Sequence, residues 1–136
     1  MIFKQVFDQK SSTYTYFIAS AKGREALIID PVIENVRNYI EILNKLDLKL
    51  VKVIDTHIHA DHVTGASKLK AETNCATVMG QNSPADTVDI KVKDNEVLKI
   101  DDLEIKAIYT PGHTSDSYSF LMEKFLFSGD TLLING

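Results

Sequence analysis

Thiol chemistry is nearly missing from this chain of 136 residues: Cys75 is the only cysteine, which excludes an internal disulfide and suits a reducing compartment. Cys75 reads as a small buried hydrophobe at the entry to a strand rather than a reactive thiol. No apolar run approaches the ~18 residues of a transmembrane helix. The first residues, MIFKQVFD, lack the long apolar core of a signal peptide, so a cytoplasmic location follows as the default. Positive charge is also in short supply, with 15 Lys and Arg against 19 Asp and Glu and a formal net charge of −4. Without a basic stripe to neutralise phosphates, neither nucleic acid nor an acidic membrane is an expected partner. Repeats, low-complexity tracts and linkers are absent. What remains is ordinary for one soluble domain: 44% hydrophobic and 25% charged residues.

Histidine is scarce too, and its placement is informative. Of four histidines, three stand within six residues, together with an aspartate: His57, His59, Asp61 and His62. They follow the apolar run LVKVID at 50–55. Alternation along an extended segment points His57 and His59 the same way, about 7 Å apart at strand rise. Asp61 falls where a helix N-cap is expected, ahead of a helix over 63–73, and Gly65 would allow close backbone approach near the site. A strand end that delivers imidazoles beside a helix start reads as a metal site.

The rest of the chain supplies a scaffold. Residues 2–7 and 13–19 form two strands joined by a turn, and Tyr14, Tyr16 and Ile18 make an aromatic stripe read as sheet core. A continuous apolar strand, EALIID at 25–30, suits burial on both faces. Asp30 either caps the Pro31 turn or accepts hydrogen bonds at the rim of the metal site. Residues 33–46 have helical spacing, with Ile33, Val36, Ile40 and Leu43 on one face. The stretch 80–89 reads as a surface loop. Strands follow over 88–92, 96–100 and 103–110, the last paired to its predecessor. It runs into Pro111-Gly112-His113, so the fourth histidine also sits beyond a strand end. A hairpin over 118–122 and 125–128 then leads to Gly129-Asp130-Thr131.

His57, His113 and Asp130 thus share one structural address, the C-terminal ends of strands, where sites assemble in α/β sheets. Two imidazoles and a carboxylate with open positions suit non-haem Fe(II) and oxygen chemistry. Alternatively, His57, His59 and His113 hold one zinc ion and Asp61 with His62 a second, bridged by Asp130, a pair that activates water for hydrolysis. Ligand types alone leave both open. Ser115 and Ser117 lie near His113, but no glycine-flanked nucleophile elbow accompanies them.

The run HIHADH at 57–62 resembles the HxHxDH signature of the metallo-β-lactamase superfamily, with His113 in PGHT and Asp130 in SGDT matching its later histidine and bridging aspartate. Phe7-Asp8 with SSTYTY at 11–16, REALIIDPV at 24–32, ADHVTG at 60–65 and GDTLLI at 129–134 are similar to persulfide dioxygenases, also called sulfur dioxygenases, close cousins of glyoxalase II. The resemblance covers essentially the whole chain. It implies an α/β fold, the αββα sandwich, here its N-terminal half or more, a mixed sheet with helices on one face, in a single domain over 1–136. It implies one Fe(II) per chain on His57, His113 and Asp130, with His59, Asp61 and His62 orienting ligands and water, or zinc in the alternative. The implied reaction oxidises glutathione persulfide with O2 and water to sulfite and glutathione; thioester hydrolysis and catalytically silent metal binding are the other readings. Family members continue beyond the position of Gly136, so the expectation is a fragment of a longer protein, or a homodimer that covers an exposed apolar sheet face.

Overall fold

The computed structural model describes residues 1–57, 64–83, 88–111, 116–122, 125–127 and 132–134, with backbone alone for 125, 126 and 132–134. Strand β1 (Ile2–Asp8) pairs antiparallel with β2 (Thr13–Ala19), in register from Ile2↔Ala19 to Asp8↔Thr13. Asp8 closes the turn by accepting the Ser11 N–H at 2.9 Å and the Ser11 hydroxyl at 2.6 Å. Next come β3 (Glu25–Ile29), a 3-10 turn (Ile33–Asn35), α1 (Val36–Lys45), β4 (Lys49–Ile54), α2 (Ala66–Thr73), β5 (Ala76–Gly80) and β6 (Ile90–Val92). These complete a six-stranded mixed sheet in chain order, parallel from β3 onward. A five-stranded antiparallel sheet follows: β7 (Val97–Ile100), β8 (Leu103–Tyr109), β9 (Tyr118–Met122), β10 (Phe125–Phe127) and β11 (Leu132–Ile134).

Alternation within β2 and β3 divides the interior. Tyr16, Ile18, Leu27 and Ile29 face the second sheet and meet Leu98, Ile100, Ile105, Ala107, Phe120 and Phe127. Their neighbours Phe17, Ala19, Ala26 and Ile28 face the helices and meet Val36, Tyr39, Leu43 and Leu69. Two sheets with helices outside the first is the expected metallo-β-lactamase layering, and strands buried on both faces explain the continuous apolar runs. The mixed sheet is not left bare. Its inner face is covered by residues of β7–β9 and by Phe127 of β10, and among the described residues the large exposed hydrophobics are Met1, Phe7 and Val97.

Four expectations need correction. The helix over 33–46 begins as a 3-10 turn, and its buried residues are Val36, Tyr39 and Leu43, with Ile33 and Ile40 only partly covered. Tyr39 can be buried because its hydroxyl accepts the Val32 N–H at 3.0 Å and meets Thr15 Oγ1 at 3.1 Å. The helix over 63–73 is described from Ala66, with Gly65 at its N-cap position and no side-chain cap; Asp61, expected at that cap, lies outside the described residues. The delay has a tertiary cause: Thr64 bridges to Val32, and the Gly65 N–H donates to Pro31 O at 2.9 Å. A Cβ on Gly65 would stand 2.9 Å from Val36 Cγ2, so the expected close approach is real. The strand over 88–92 shortens to Ile90–Val92, because Asp89 turns its carboxylate onto the Thr77 N–H at 2.9 Å. Ser83, expected on a surface loop, is buried; residues 84–87 of that loop and the turn at 123–124 lie outside the described residues.

Cys75 is buried beside β5, and burial pushes its thiol pKa up, as suits an inert hydrophobe. No helix among the described residues is long and apolar enough to cross a membrane.

A reciprocal clamp joins the start of β3 to the turn between β7 and β8. Asp101 Oδ2 accepts the Glu25 N–H at 2.8 Å, and Glu25 Oε1 accepts the Asp101 N–H at 2.9 Å. The Glu25 N–H, then Arg24 beside it, hold the Asp101 carboxyl below its usual value. A depressed carboxyl adds stability above its ordinary pKa of about 3.9, and that contribution is lost as pH falls through the lowered folded value. Asp101→Asn is therefore expected to lower the urea midpoint at pH 7 and to flatten its fall below about pH 4. An unchanged acid limb in urea titrations of the variant would contradict this role.

Candidate metal centre

The site grows from the C-terminal end of β4. Parallel pairing carries one step beyond the strand, where the Asp55 N–H donates to Val78 O at 3.1 Å. Thr56 and His57 follow, both buried. Burying two polar residues at a strand end requires partners for each polar atom. Asp30, at the end of β3, supplies them. Its Oδ1 accepts the Thr56 N–H and its Oδ2 the Thr56 hydroxyl, both at 2.8 Å. Thr56 Oγ1 in turn lies 3.0 Å from His57 Nδ1.

Asp30 is fully buried and held from three sides. Its N–H donates to Ile54 O at 2.7 Å, and its carbonyl accepts the Thr15 hydroxyl at 2.7 Å. Its φ of 56° is left-handed, a conformation that Asp and Asn tolerate better than other side chains. Because the one Thr15 hydroxyl hydrogen goes to Asp30, Tyr39 must donate its own to Thr15 while accepting from Val32. The hydrogen-bond network therefore runs from α1, through β2 and the end of β3, to the histidine.

The second sheet reaches the same place. At the start of β9 the Tyr118 N–H donates to Thr56 O at 2.8 Å. The Tyr118 ring covers Gly80 at the end of β5, where a Cβ would lie 2.0 Å from Tyr118 Cδ1. Its hydroxyl donates to Asn82 Oδ1 at 3.2 Å, and burial, then Asp94, push the phenol pKa up, so it stays a neutral donor. Between β8 and β9 the chain is closed by the Thr110 N–H donating to Ser117 O at 3.0 Å and by Thr110 Oγ1 meeting Ser119 Oγ at 2.8 Å. Phe127 pairs with both Phe120 and Leu132, so β10 and β11 also meet at the Tyr118 end of the sheet.

Of the sequence candidates, His57 is described: buried, at a strand end, with Nδ1 engaged. His59, Asp61, His62, His113 and Asp130 lie outside the described residues. With those set aside, no group of three His, Cys, Asp or Glu side chains converges among the described residues. The flanks of the later candidates are described. Residues 112–115 fall between Pro111 and Asp116, in the connection tied to Thr56 through Tyr118. Residues 128–131 fall between the paired Phe127 and Leu132. Sequence reasoning noticed Asp30 but missed Thr56. The available signal was a hydroxyl residue between a buried strand and the first histidine.

These surroundings suit a bound metal ion. A ligating histidine ordinarily gives its other ring N–H to an oxygen acceptor, which sets ring orientation and tautomer. Thr56 Oγ1 stands where that acceptor is needed. Imidazole with carboxylate matches iron or zinc.

Comparison with known proteins agrees with this architecture. The sequence profile of the Metallo-beta-lactamase superfamily matches residues 9–85, and the chain belongs to that superfamily. Within it, the chain is similar to "Persulfide dioxygenase ETHE1, mitochondrial" of Mus musculus, at 33% identity over 139 residues covering 100% of this chain and 54% of that protein. It is also similar to the hydroxyacylglutathione hydrolase of Dictyostelium discoideum, 35% identical over 133 residues, 90% of this chain and 49% of that one. The crystal structure of ETHE1 from Myxococcus xanthus matches with a TM-score of 0.89 and 40% identity, covering 93% of this chain and 56% of that chain. The chain spans about half the length of the curated relatives it matches.

Proposed function

We propose that this chain carries the iron ligands of a persulfide dioxygenase: His57, His113 and Asp130 hold one Fe(II), and glutathione persulfide is oxidised with O2 and water to sulfite and glutathione. The observation that carries the reading is the buried His57, its Nδ1 turned to Thr56 Oγ1 at 3.0 Å, at the end of the strand tied by Thr56 O to the start of β9. The similarity to proteins named persulfide dioxygenase supports the reaction class. Bound Fe(II) supplies open coordination positions and the one-electron chemistry that O2 requires.

The chain's own residues do the holding and orienting. Asp30 and Thr56 keep the His57 ring in place. His59, Asp61 and His62 are assigned to orienting the ligands and hydrogen-bonding water. Tyr118 and Gly80 lock the second sheet against the first, so that the strand ends stay together. We treat residues 1–136 as one domain that supplies the metal ligands. Association of two copies through the second sheet, where Val97 is 45% exposed, belongs to the same reading, as does a cytoplasmic location, which suits a lone buried thiol.

Elemental analysis of freshly purified protein tests the reading, together with O2 uptake on adding glutathione persulfide. One iron per chain with O2 consumption is expected. His57→Ala is expected to lose the metal, read as iron per chain in the same analysis. Two zinc ions with thioester cleavage would instead favour the glyoxalase II reading, which rests on the Dictyostelium relative. Iron without O2 uptake would favour a silent metal-binding module. Sedimentation showing a compact monomer would remove the dimer.

A further inference from the structure

We propose that the Tyr118 ring is a spacer whose thickness sets the gap between the two ligand-bearing ends of the sandwich, which makes Tyr118 and Gly80 positioning residues for the metal centre. The inference rests on the metal-centre reading above and adds to it what fixes the distance across which one ion is shared.

Tyr118 is the first residue of β9 and meets the first sheet at three places. Its N–H donates to Thr56 O at 2.8 Å, on the continuation of β4 and one residue before His57. Its ring rests on Gly80, the last residue of β5, where a β-carbon would stand 2.0 Å from Cδ1, 2.2 Å from Cε1 and 2.8 Å from Cγ. Its hydroxyl donates to Asn82 Oδ1 at 3.2 Å, two residues further along. The ends of β4 and β5 are themselves tied, by the Asp55 N–H on Val78 O at 3.1 Å. A single contact would leave β9 free to pivot. Contacts on two neighbouring strands and on the chain beyond them hold it in one place.

The second ligand address travels with Tyr118. The connection that contains His113 begins at Thr110, whose N–H donates to Ser117 O and whose hydroxyl meets Ser119 Oγ. Those two serines flank Tyr118, and Tyr118 itself pairs with Tyr109 of β8. A displacement of Tyr118 therefore carries both ends of that connection with it, while His57 stays with β4.

Magnitudes decide how much this matters. Unbonded carbon atoms settle about 3.5–4.0 Å apart, so a methyl on residue 80 would push ring and strand apart by about 1.5 Å. A ligand constellation tolerates about 0.5 Å. The ring has no free side to turn into, being 1% exposed and 5.3 Å from the Tyr109 ring. The displacement goes into the gap between the sheets.

Four variants of the full chain test this by two readouts. One is affinity for Zn2+, by competition with a chelating dye. The other is the visible absorption of Co2+ bound in its place, whose bands follow coordination geometry. Gly80→Ala is expected to bind Zn2+ roughly 10–100-fold more weakly and to shift the Co2+ bands. Tyr118→Leu, which thins the spacer without a collision, is expected to shift them as well. Tyr118→Phe keeps the ring and gives up only the bond to Asn82, so wild-type bands and an affinity within a few-fold are expected. Leu43→Ala empties a core position on the helix side of the first sheet. It is expected to lower the urea midpoint and to leave both readouts unchanged.

Wild-type bands and affinity in Gly80→Ala overturn the inference. The same result in Tyr118→Leu overturns it too, and decides the matter if Gly80→Ala does not fold. Bands shifted as far in Leu43→Ala would mean that lost stability alone is being read, which also overturns it. Wild type that binds neither ion sinks the metal-centre reading itself, whereas wild type that binds and is matched by its variants sinks only the spacer.

Discussion

Asp30→Ala is expected to lower the free energy of unfolding by about 2–4 kcal/mol, from a buried neutral donor left without its acceptor and a left-handed backbone left without its polar side chain. The side chain accepts two hydrogen bonds from Thr56, and both donors are buried. Alanine leaves the Thr56 N–H without an acceptor in a place water does not reach. It also strips the β-carbon at φ 56° of the polar group that offsets a left-handed backbone, a penalty of about 1 kcal/mol. Asp30→Asn should lose less, because asparagine tolerates that backbone and still accepts the Thr56 N–H. Urea denaturation of the three proteins checks this. Equal losses for Ala and Asn would mean that charge, not hydrogen bonding or backbone shape, dominates at Asp30.

Gly80→Ala is expected to cost about 3 kcal/mol, the upper end for overpacking a core. The added methyl would stand 2.0 Å from Tyr118 Cδ1 and 2.2 Å from Cε1, well inside contact distance. Tyr118 has little room to retreat. Its ring is 1% exposed and lies 5.3 Å from the Tyr109 ring, its hydroxyl is on Asn82, and its N–H is on Thr56 O. Any shift of the ring therefore pulls on the residue before His57. In a Tyr118→Ala background the same glycine substitution should cost far less, a coupling that a double-mutant cycle measures. Additive losses would show that the methyl collides with something other than that ring.

These two positions show what local patterns reveal and where they stop. Alternation in β2 and apolar continuity in β3 located those strands to within a residue, because period two and turn punctuation are properties of the local chain. Asp8 at the hairpin and the apolar run ahead of the histidines were equally readable. The start of α2 was not. Asp61 has the chemistry of a cap, yet α2 begins only after Thr64, which bridges to Val32, a partner far away along the chain. Tyr39 was passed over for Ile40 on α1 because periodicity counts apolar character and cannot see that Thr15 and Val32 satisfy a buried phenol. Thr56 went unnoticed for the same reason: a threonine beside a histidine signals nothing until an aspartate from another strand arrives to take its hydrogen.

By itself, then, the sequence determined the superfamily and the scaffold type: a short histidine and aspartate motif behind an apolar strand, and alternating strands with helices between them. Residue types and short periodicities are enough for that, since they act over a few neighbouring positions. Only the tertiary structure decided how His57 is held, which nitrogen faces its neighbour, and that the second sheet fastens to the same strand end through Tyr118. Those outcomes depend on hydrogen bonds between residues distant in the chain, and a bond of that kind has no local signature.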